Sequence, residues 1–330
     1  MDAFESEYAD YVGVTHCVGV GNGTDALELA YRAAGIAAGD EVIIPANTFI
    51  ATAEAASRIG AVPVFVDVGA DDLLMDPAAV EAAMTPRTRG IVPVHLFGRT
   101  ADMGSIGAVA ERHGVAVIED AAQSQGASSV DGRAGSMGLV SATSFYPGKN
   151  LGAAGDAGAV LTDDDDVART VRMMATHGSA TKYVHDVVGI NSRLDATQAV
   201  VLRAKLRLLD GWNAARREAA ARYDELLGEI PGVGLPVSRP GNTDVWHIYA
   251  VQVADRDRVA DALRGAGIGV GIHYPVPVHL SGAYAHLGYS RGSFPVAEHA
   301  ADVLLSLPMF PHLTRAQQER VANELARALS

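Results

Sequence analysis

The chain of 330 residues has one cysteine, Cys17, which excludes an intramolecular disulfide and a cysteine-rich zinc site. Cys17 is expected to be a small core residue. No stretch of about twenty uninterrupted apolar residues occurs, so no membrane span is expected. Basic residues are few: 26 Lys and Arg against 39 Asp and Glu give a formal charge of −13. That balance argues against a generic nucleic-acid or acidic-membrane surface, because phosphate backbones need basic patches. An anionic small substrate needs only a local positive site and stays compatible. The start, Met1-Asp-Ala-Phe-Glu-Ser-Glu7, is acidic and lacks an apolar signal region, so a cytoplasmic location is expected. No His, Cys and Asp group has metal-ligand spacing, so no metal is expected. Asp163–Asp166 lacks the glycine and spacing of a calcium loop and reads as loop and helix N-terminal charge.

The hydrophobic fraction is 48%, which makes the chain globular, and its length points to more than one domain. Val18–Val20, Val42–Ile44, Val62–Val66, Gly90–Val94 and Val115–Ile118 are short, β-branched and bounded by Gly, Pro or acids, as buried strands are. Amphipathic segments at Thr24–Ala34, Thr52–Ile59, Pro77–Met84 and Asp102–His113 separate them. The alternation predicts an α/β fold with a mostly parallel sheet covered on both faces. Ser141–Tyr146 and Gly158–Thr162 read as two further strands, and Asp195 as the cap of a long helix to about Leu227. Strands at Val245–Val253 and Ile268–Ile272 and helices at Arg256–Gly265, Val296–Leu305 and Thr314–Leu329 follow. The expected division is a large domain over residues 1–210 and a smaller C-terminal α/β domain over 211–330.

Lysine is scarce too: only Lys149, Lys182 and Lys205 are present. Lys205 sits on an alternating helical stripe and is expected to face solvent, and Lys182 follows a loop composition. Lys149 follows an apolar–aromatic run and precedes glycines that let backbone crowd around a ligand. A lysine amine is what a Schiff base with pyridoxal 5′-phosphate (PLP) requires, although a solvated loop lysine is the plain alternative. The turn Gly19-Val-Gly21-Asn-Gly23-Thr24 precedes a helix whose N-terminus suits a phosphate; a tight turn capped by Thr24 is the rival reading. It fails the dinucleotide fingerprint, which needs glycine where Thr24 stands. Asp120, just past a buried strand, lies where α/β folds bind ligands. It either pairs with a protonated pyridine nitrogen or caps the next helix. Ser144 can donate to phosphate, and Phe49 either stacks on a flat ring or fills the core. His95, Tyr183, His185, His273 and Tyr274 are candidate substrate contacts, with structural or surface roles as alternatives.

Six strings occur in order: Gly21-Asn-Gly-Thr-Asp-Ala-Leu27, Ile44-Pro-Ala-Asn-Thr-Phe-Ile-Ala-Thr-Ala-Glu54, Glu119-Asp-Ala-Ala-Gln123, Ser144-Phe-Tyr-Pro-Gly-Lys-Asn-Leu-Gly152, Gly155-Asp-Ala-Gly158 and Asn191-Ser-Arg-Leu-Asp-Ala-Thr-Gln198. Together they resemble the DegT/DnrJ/EryC1/StrS sugar aminotransferases over nearly the whole chain. Gln123 and the strings Ile272-His-Tyr-Pro-Val-Pro-Val-His-Leu280 and Leu305-Ser-Leu-Pro-Met-Phe-Pro311 are most similar to enzymes that aminate a nucleotide-linked 3-keto-deoxyhexose, as in antibiotic or surface-glycan biosynthesis. The resemblance implies the PLP-dependent transferase fold of type I and a homodimer with shared active sites. It implies L-glutamate as amino donor and a nucleotide sugar, dTDP-linked by expectation, as acceptor. By motif, Lys149 would carry PLP, Asp120 would pair with the pyridine nitrogen and Gln123 would approach the ring hydroxyl. Gly23, Thr24 and Ser144 would hold the phosphate, Phe49 would cover the ring, and Asn191 would reach the partner subunit's phosphate. A branch of the family that removes a 3-hydroxyl has histidine at the position of Lys149, so lysine favours transamination. Relatives usually carry a few dozen earlier residues that help build the substrate entrance. A PLP-binding regulator or pseudoenzyme is therefore the alternative expectation.

Overall fold

The computed structural model describes residues 1–330. Helix α1 (Asp2–Val12) leads to strand β1 (His16–Val20). Then α2 (Gly23–Ala33), β2 (Glu41–Pro45), α3 (Ala51–Arg58), β3 (Val62–Val66), α4 (Pro77–Ala83), β4 (Thr88–Ile91), α5 (Met103–His113) and β5 (Ala116–Asp120) alternate. A small ribbon, β6 (Ser128–Ser129) with β7 (Gly132–Arg133), precedes β8 (Val140–Ser144), β9 (Gly158–Thr162), α6 (Asp165–Ala175) and the long α7 (Ala196–Leu227). The chain ends with β10 (Val233–Gly234), β11 (Tyr249–Val253), α8 (Arg256–Gly265), α9 (Pro295–Val303), β12 (Leu304–Leu307) and α10 (Arg315–Leu329).

The central sheet has seven strands in the order β1-β9-β8-β5-β4-β2-β3. Only β9 runs antiparallel to its neighbours. Every residue of β2 and β9 is buried, as strands covered on both faces must be. The carboxyl ends of β1, β2, β5 and β8 and the amino end of β9 therefore meet along one edge. That edge receives the turn after Val20, the segment after Pro45, Asp120 and Ser144. The segment Asp163–Asp166 is the loop and helix start that was expected: Asp164 caps α6, accepting from the amides of Asp166 and Val167.

The acidic start is a helix, α1, that buries Phe4, Tyr8 and Val12 at four-residue spacing. Phe4 and Tyr8 meet the fully buried Phe145 edge-on, with ring centroids 5.4 and 5.1 Å apart. This packing anchors the exit of β8 four residues before Lys149. Glu5 of the same helix accepts from the amide of Gly19 at 2.8 Å and so fixes the end of β1.

Helix α7 runs unbroken through residue 210, the expected domain boundary. Its first half packs Ala199, Leu202 and Leu209 with α1, whereas its second half packs Ala220, Tyr223 and Leu227 with β11, α8 and α10. Three local expectations are corrected. Strand β11 begins at Tyr249, not Val245, because Trp246 takes a left-handed φ of 46°. Residues 268–272 make one bridge, Gly271 to Ser306, and no strand. The helix expected to Leu305 stops at Val303, and Leu304–Leu307 pairs with β11.

Candidate active site

A cavity of about 680 Å³ opens at the strand-end edge. Residues from both halves of the sequence line it: Gly23, Thr24, Phe49, Asp120, Gln123, Ser144 and Lys149 from the sheet edge, and His247, His273 and Tyr274 from beyond α7.

Asp120 ends β5 and is 5% exposed. Its Oδ2 accepts from the Thr52 hydroxyl at 2.8 Å and its Oδ1 from the amide of Ala122 at 3.1 Å. The Thr48 and Thr52 hydroxyls lie 2.9 Å apart. Since Thr52 has one hydroxyl proton, directed at Asp120, Thr48 donates to Thr52. Burial pushes the Asp120 carboxyl above its usual range, while Thr52, Ala122 and the positive charge of Lys149 pull the other way. No cation pairs with Asp120 within ion-pair distance, a costly state for a buried carboxylate. A protonated pyridine nitrogen would meet that need.

No side-chain hydrogen bond or ion pair holds the amine of Lys149; only its backbone amide is engaged, with the Tyr146 carbonyl at 2.8 Å. Burial pushes the amine below the usual lysine range, partly offset by Asp120. The other two lysines are committed elsewhere. Lys182 stands 4.9 Å from the centre of the Tyr183 ring, and Lys205, expected in solvent, is half-buried and donates to the Gly152 carbonyl at 2.7 Å. That bond ties α7 to the loop that bears Lys149.

Asn22, not Thr24, caps α2, its side chain accepting from the amide of Asp25 at 2.8 Å. The amides of Gly23 and Thr24 are left without a partner at the cavity wall, at the positive end of the helix dipole. Glycine is required at position 23 because a Cβ there would stand 2.7 Å from the Ser144 Cβ. At Gly158 a Cβ would come within 2.5 Å of the Asn22 carbonyl. These contacts set the Ser144 hydroxyl beside the two free amides, an arrangement suited to phosphate.

Gln123 is fixed at both ends: its Oε1 accepts from the Phe97 amide at 2.8 Å and its Nε2 donates to the Tyr274 hydroxyl at 3.0 Å. The Phe49 ring is half exposed over the cavity, 5.5 Å from the Tyr274 ring. Burial raises the Tyr274 hydroxyl to about 12, so it stays protonated near neutral pH. His273 reaches Ser306 through Nδ1 at 2.8 Å, and burial with the nearby Lys149 lowers its pKa.

The expected substrate contact of His95 is corrected. His95 is fully buried beneath the cavity and does not line it. The Ala101 amide donates to its Nδ1 at 3.1 Å, so the proton lies on Nε2 and is donated to Glu119 at 2.8 Å. Glu119 also accepts from the amides of Gly135, Met137 and Gly138, which makes this a structural network. Asn191, Tyr183 and His185 are exposed and do not line the cavity of their own chain. His247 was missed: in sequence it looked like one polar residue within a strand, and the Trp246 turn is what brings it to the cavity wall.

The residues fit PLP: an uncommitted amine, a buried carboxylate lacking a cation, and an anion cradle that a Cβ would fill share one cavity. The sequence profile of the DegT/DnrJ/EryC1/StrS aminotransferase family matches residues 1–326. The chain is 51% identical over 320 residues to the erythromycin biosynthesis sensory transduction protein EryC1 of Saccharopolyspora erythraea, covering 97% of this chain and 87% of that one. It is 49% identical over 321 residues to the dTDP-3-amino-3,4,6-trideoxy-alpha-D-glucose transaminase of Streptomyces venezuelae, covering 97% and 85%. The solved structure of DesV from S. venezuelae superposes with a TM-score of 0.96 at 49% identity, over 99% of this chain and 88% of that one. The chain thus belongs to the DegT/DnrJ/EryC1/StrS aminotransferase family and is a PLP-dependent sugar aminotransferase.

Proposed function

We propose that the protein transfers the amino group of L-glutamate to a nucleotide-linked 3-keto-deoxyhexose, with dTDP as the nucleotide. One observation carries the chemistry: Lys149, Asp120 and the free amides of Gly23 and Thr24 face one cavity. Bound PLP supplies an electron sink and a carbonyl able to carry an amino group. The chain's residues do the rest. Gly23, Thr24 and Ser144 bind the phosphate, and Phe49 covers the ring. Asp120, whose charged form the Thr52 hydroxyl and the Ala122 amide favour against the effect of burial, would pair with the protonated pyridine nitrogen. Gln123 and the protonated Tyr274 orient the ring hydroxyl and the sugar. The Lys149 Nζ, whose proton burial loosens, would hold the cofactor covalently and, once the donor's amino group has replaced it in that bond, would be free to accept a proton from the donor's α-carbon. The regulator alternative is not favoured, since each group that transamination needs stands in the cavity.

The working unit in this reading is a homodimer in the cytoplasm. Asn191 reaches the partner subunit's phosphate site, and Tyr183 and His185, exposed on the same segment, serve the partner's sugar. Each subunit then gives and receives the same loop, as a two-fold axis requires. Residues 1–210 carry the cofactor cradle, and 211–330 supply His247, His273 and Tyr274 to close it. The test is the visible absorption of the PLP-loaded protein before and after L-glutamate, followed by a panel of dTDP- and UDP-linked keto sugars with mass detection of the amine. Glutamate is expected to bleach the spectrum and one dTDP-linked 3-keto sugar to restore it. An unchanged spectrum with glutamate would overturn the donor assignment, and turnover of only 4-keto sugars the acceptor assignment.

A further inference from the structure

The two free amides of the cradle, those of Gly23 and Thr24, open a helix whose first turn also carries an acid, Asp25. A carboxylate there competes with a bound phosphate for the same positive helix end. Asp25 nevertheless does not line the cavity. Both of its oxygens are held elsewhere: Oδ2 accepts from the Ser192 hydroxyl at 2.7 Å and Oδ1 from Arg58 at 3.1 Å. The two partners differ in kind. The Arg58 side chain is 42% exposed, so water can compete for its place, whereas Ser192 is 2% exposed and shut away from solvent.

The Ser192 hydroxyl makes a second bond: its Oγ accepts from the Gly21 amide at 2.9 Å. The side chain between Gly21 and Asp25 must therefore accept from one and donate to the other, which a hydroxyl does and a methyl group cannot. Gly21 directly precedes Asn22, the cap of α2. One oxygen thus ties the end of β1 and the first turn of α2 to the segment that holds Ser192. The backbone of that segment is fixed independently. The Ile190 amide donates to the Met174 carbonyl at 2.8 Å, the Ser192 amide to the Ala175 carbonyl at 3.0 Å and the Leu194 amide to the Gly19 carbonyl at 3.2 Å. The approach leaves little room, since a Cβ at Gly21 would stand 3.2 Å from the Ser192 Oγ.

We propose that Ser192 is a positioning residue for the cofactor phosphate: its hydroxyl, bridging the Gly21 amide and the Asp25 carboxylate, anchors the turn that presents the Gly23 and Thr24 amides and keeps the acid of that turn away from them. The role rests on the reading of those two amides as the phosphate site. Ser192 does not line the cavity and acts through α2 alone. Without its hydroxyl the Gly21 amide and the Asp25 Oδ2 lose a buried partner. Asp25 is then free to turn toward the open amides at the start of its own helix, as short acids at such positions do. The phosphate would have to displace it.

The test compares PLP with 5′-deoxypyridoxal, which has the same ring and aldehyde but no phosphate, by absorbance titration of the PLP-free full-length protein. In Ser192→Ala the PLP dissociation constant is expected to rise about five- to thirtyfold, for the loss of one neutral and one charge-assisted hydrogen bond. That of 5′-deoxypyridoxal is expected to stay within about twofold of the parent. A general loosening of the site would weaken both ligands alike. Adding Asp25→Asn to Ser192→Ala removes the competing charge and should recover part of the lost PLP affinity. Thermal unfolding of the PLP-free proteins checks that each variant folds. If Ser192→Ala does not fold, Ser192→Cys carries the same test, since a thiol fills similar space but is a weak donor and acceptor. PLP affinity unchanged in the Ser192 variant, equal losses for the two ligands, or a double variant no better than the single one would each overturn the proposal. Gly23→Ala separates this inference from the reading beneath it. If Gly23→Ala keeps the parent's preference for PLP over 5′-deoxypyridoxal, the phosphate binds elsewhere and both fall. If Gly23→Ala loses that preference and Ser192→Ala keeps it, only the role of Ser192 falls.

Discussion

Gly23→Ala tests the phosphate cradle with a single methyl group. The added Cβ would stand 2.7 Å from the Ser144 Cβ, 3.2 Å from its Oγ and 3.4 Å from its Cα. Serine is too short to swing clear, so Ser144 and the first turn of α2 must part. Overpacking of this kind costs about 1–3 kcal/mol. Ser144 lines the cavity, so in the empty protein it has room to shift there and relieve the clash. In the proposed cradle the phosphate draws Ser144 and the amides of Gly23 and Thr24 back together, so the cost falls on cofactor binding. The PLP dissociation constant is expected to rise about five- to a hundredfold. The fold should hardly notice, since alanine is the better helix former by up to about 1 kcal/mol. The assay is equilibrium titration of PLP-free protein by absorbance, with thermal unfolding as the control. Gly23→Ala/Ser144→Gly supplies the second arm: it removes the clash and costs only the serine hydroxyl, so it should bind more tightly than Gly23→Ala alone. Binding of PLP by Gly23→Ala within about twofold of the parent, or a double variant no better than the single one, would refute the cradle.

Thr52→Val removes a donor to the buried Asp120. The hydroxyl favours the charged carboxylate, so its loss pushes the Asp120 pKa further up. The carboxylate then protonates at higher pH as the solution is acidified, and the acid limb of the glutamate half-reaction moves to higher pH; Thr52→Ser should restore it, and an unmoved limb would contradict the hydroxyl's role. Mixing inactive Lys149→Ala with a phosphate-defective Asn191→Ala variant should raise activity, because hybrid dimers would hold one site with both lesions and one with neither. No gain despite subunit exchange would confine Asn191 to its own chain.

Much of this site could be read from the sequence because cofactor groups sit at strand ends, and strand ends leave short signals. Asp120 follows the apolar run of β5, and the glycine turn follows β1. What escaped depends on three dimensions. His95 follows the expected strand Gly90–Val94 as Asp120 follows its own apolar run, yet only the fold shows Glu119 and the Ala101 amide enclosing it. His247 was hidden by an apolar run that reads as strand until Trp246 turns the backbone. The run Leu304–Leu307 continues an apolar helical pattern, and pairing with β11, far away in sequence, is what makes it strand. Helix α1 carries its signal in Phe4, Tyr8 and Val12 at helical spacing, interleaved with the acidic residues Asp2 and Glu5 of its first turn.

Borohydride reduction of the PLP-loaded protein followed by peptide mapping tests whether Lys149 alone carries the cofactor. With three lysines in the chain the outcome is unambiguous. The tag is expected on the peptide containing Lys149, in about one copy per chain, and to be absent from Lys149→Ala. A tag on Lys182 or Lys205, or none in the parent protein, would contradict it.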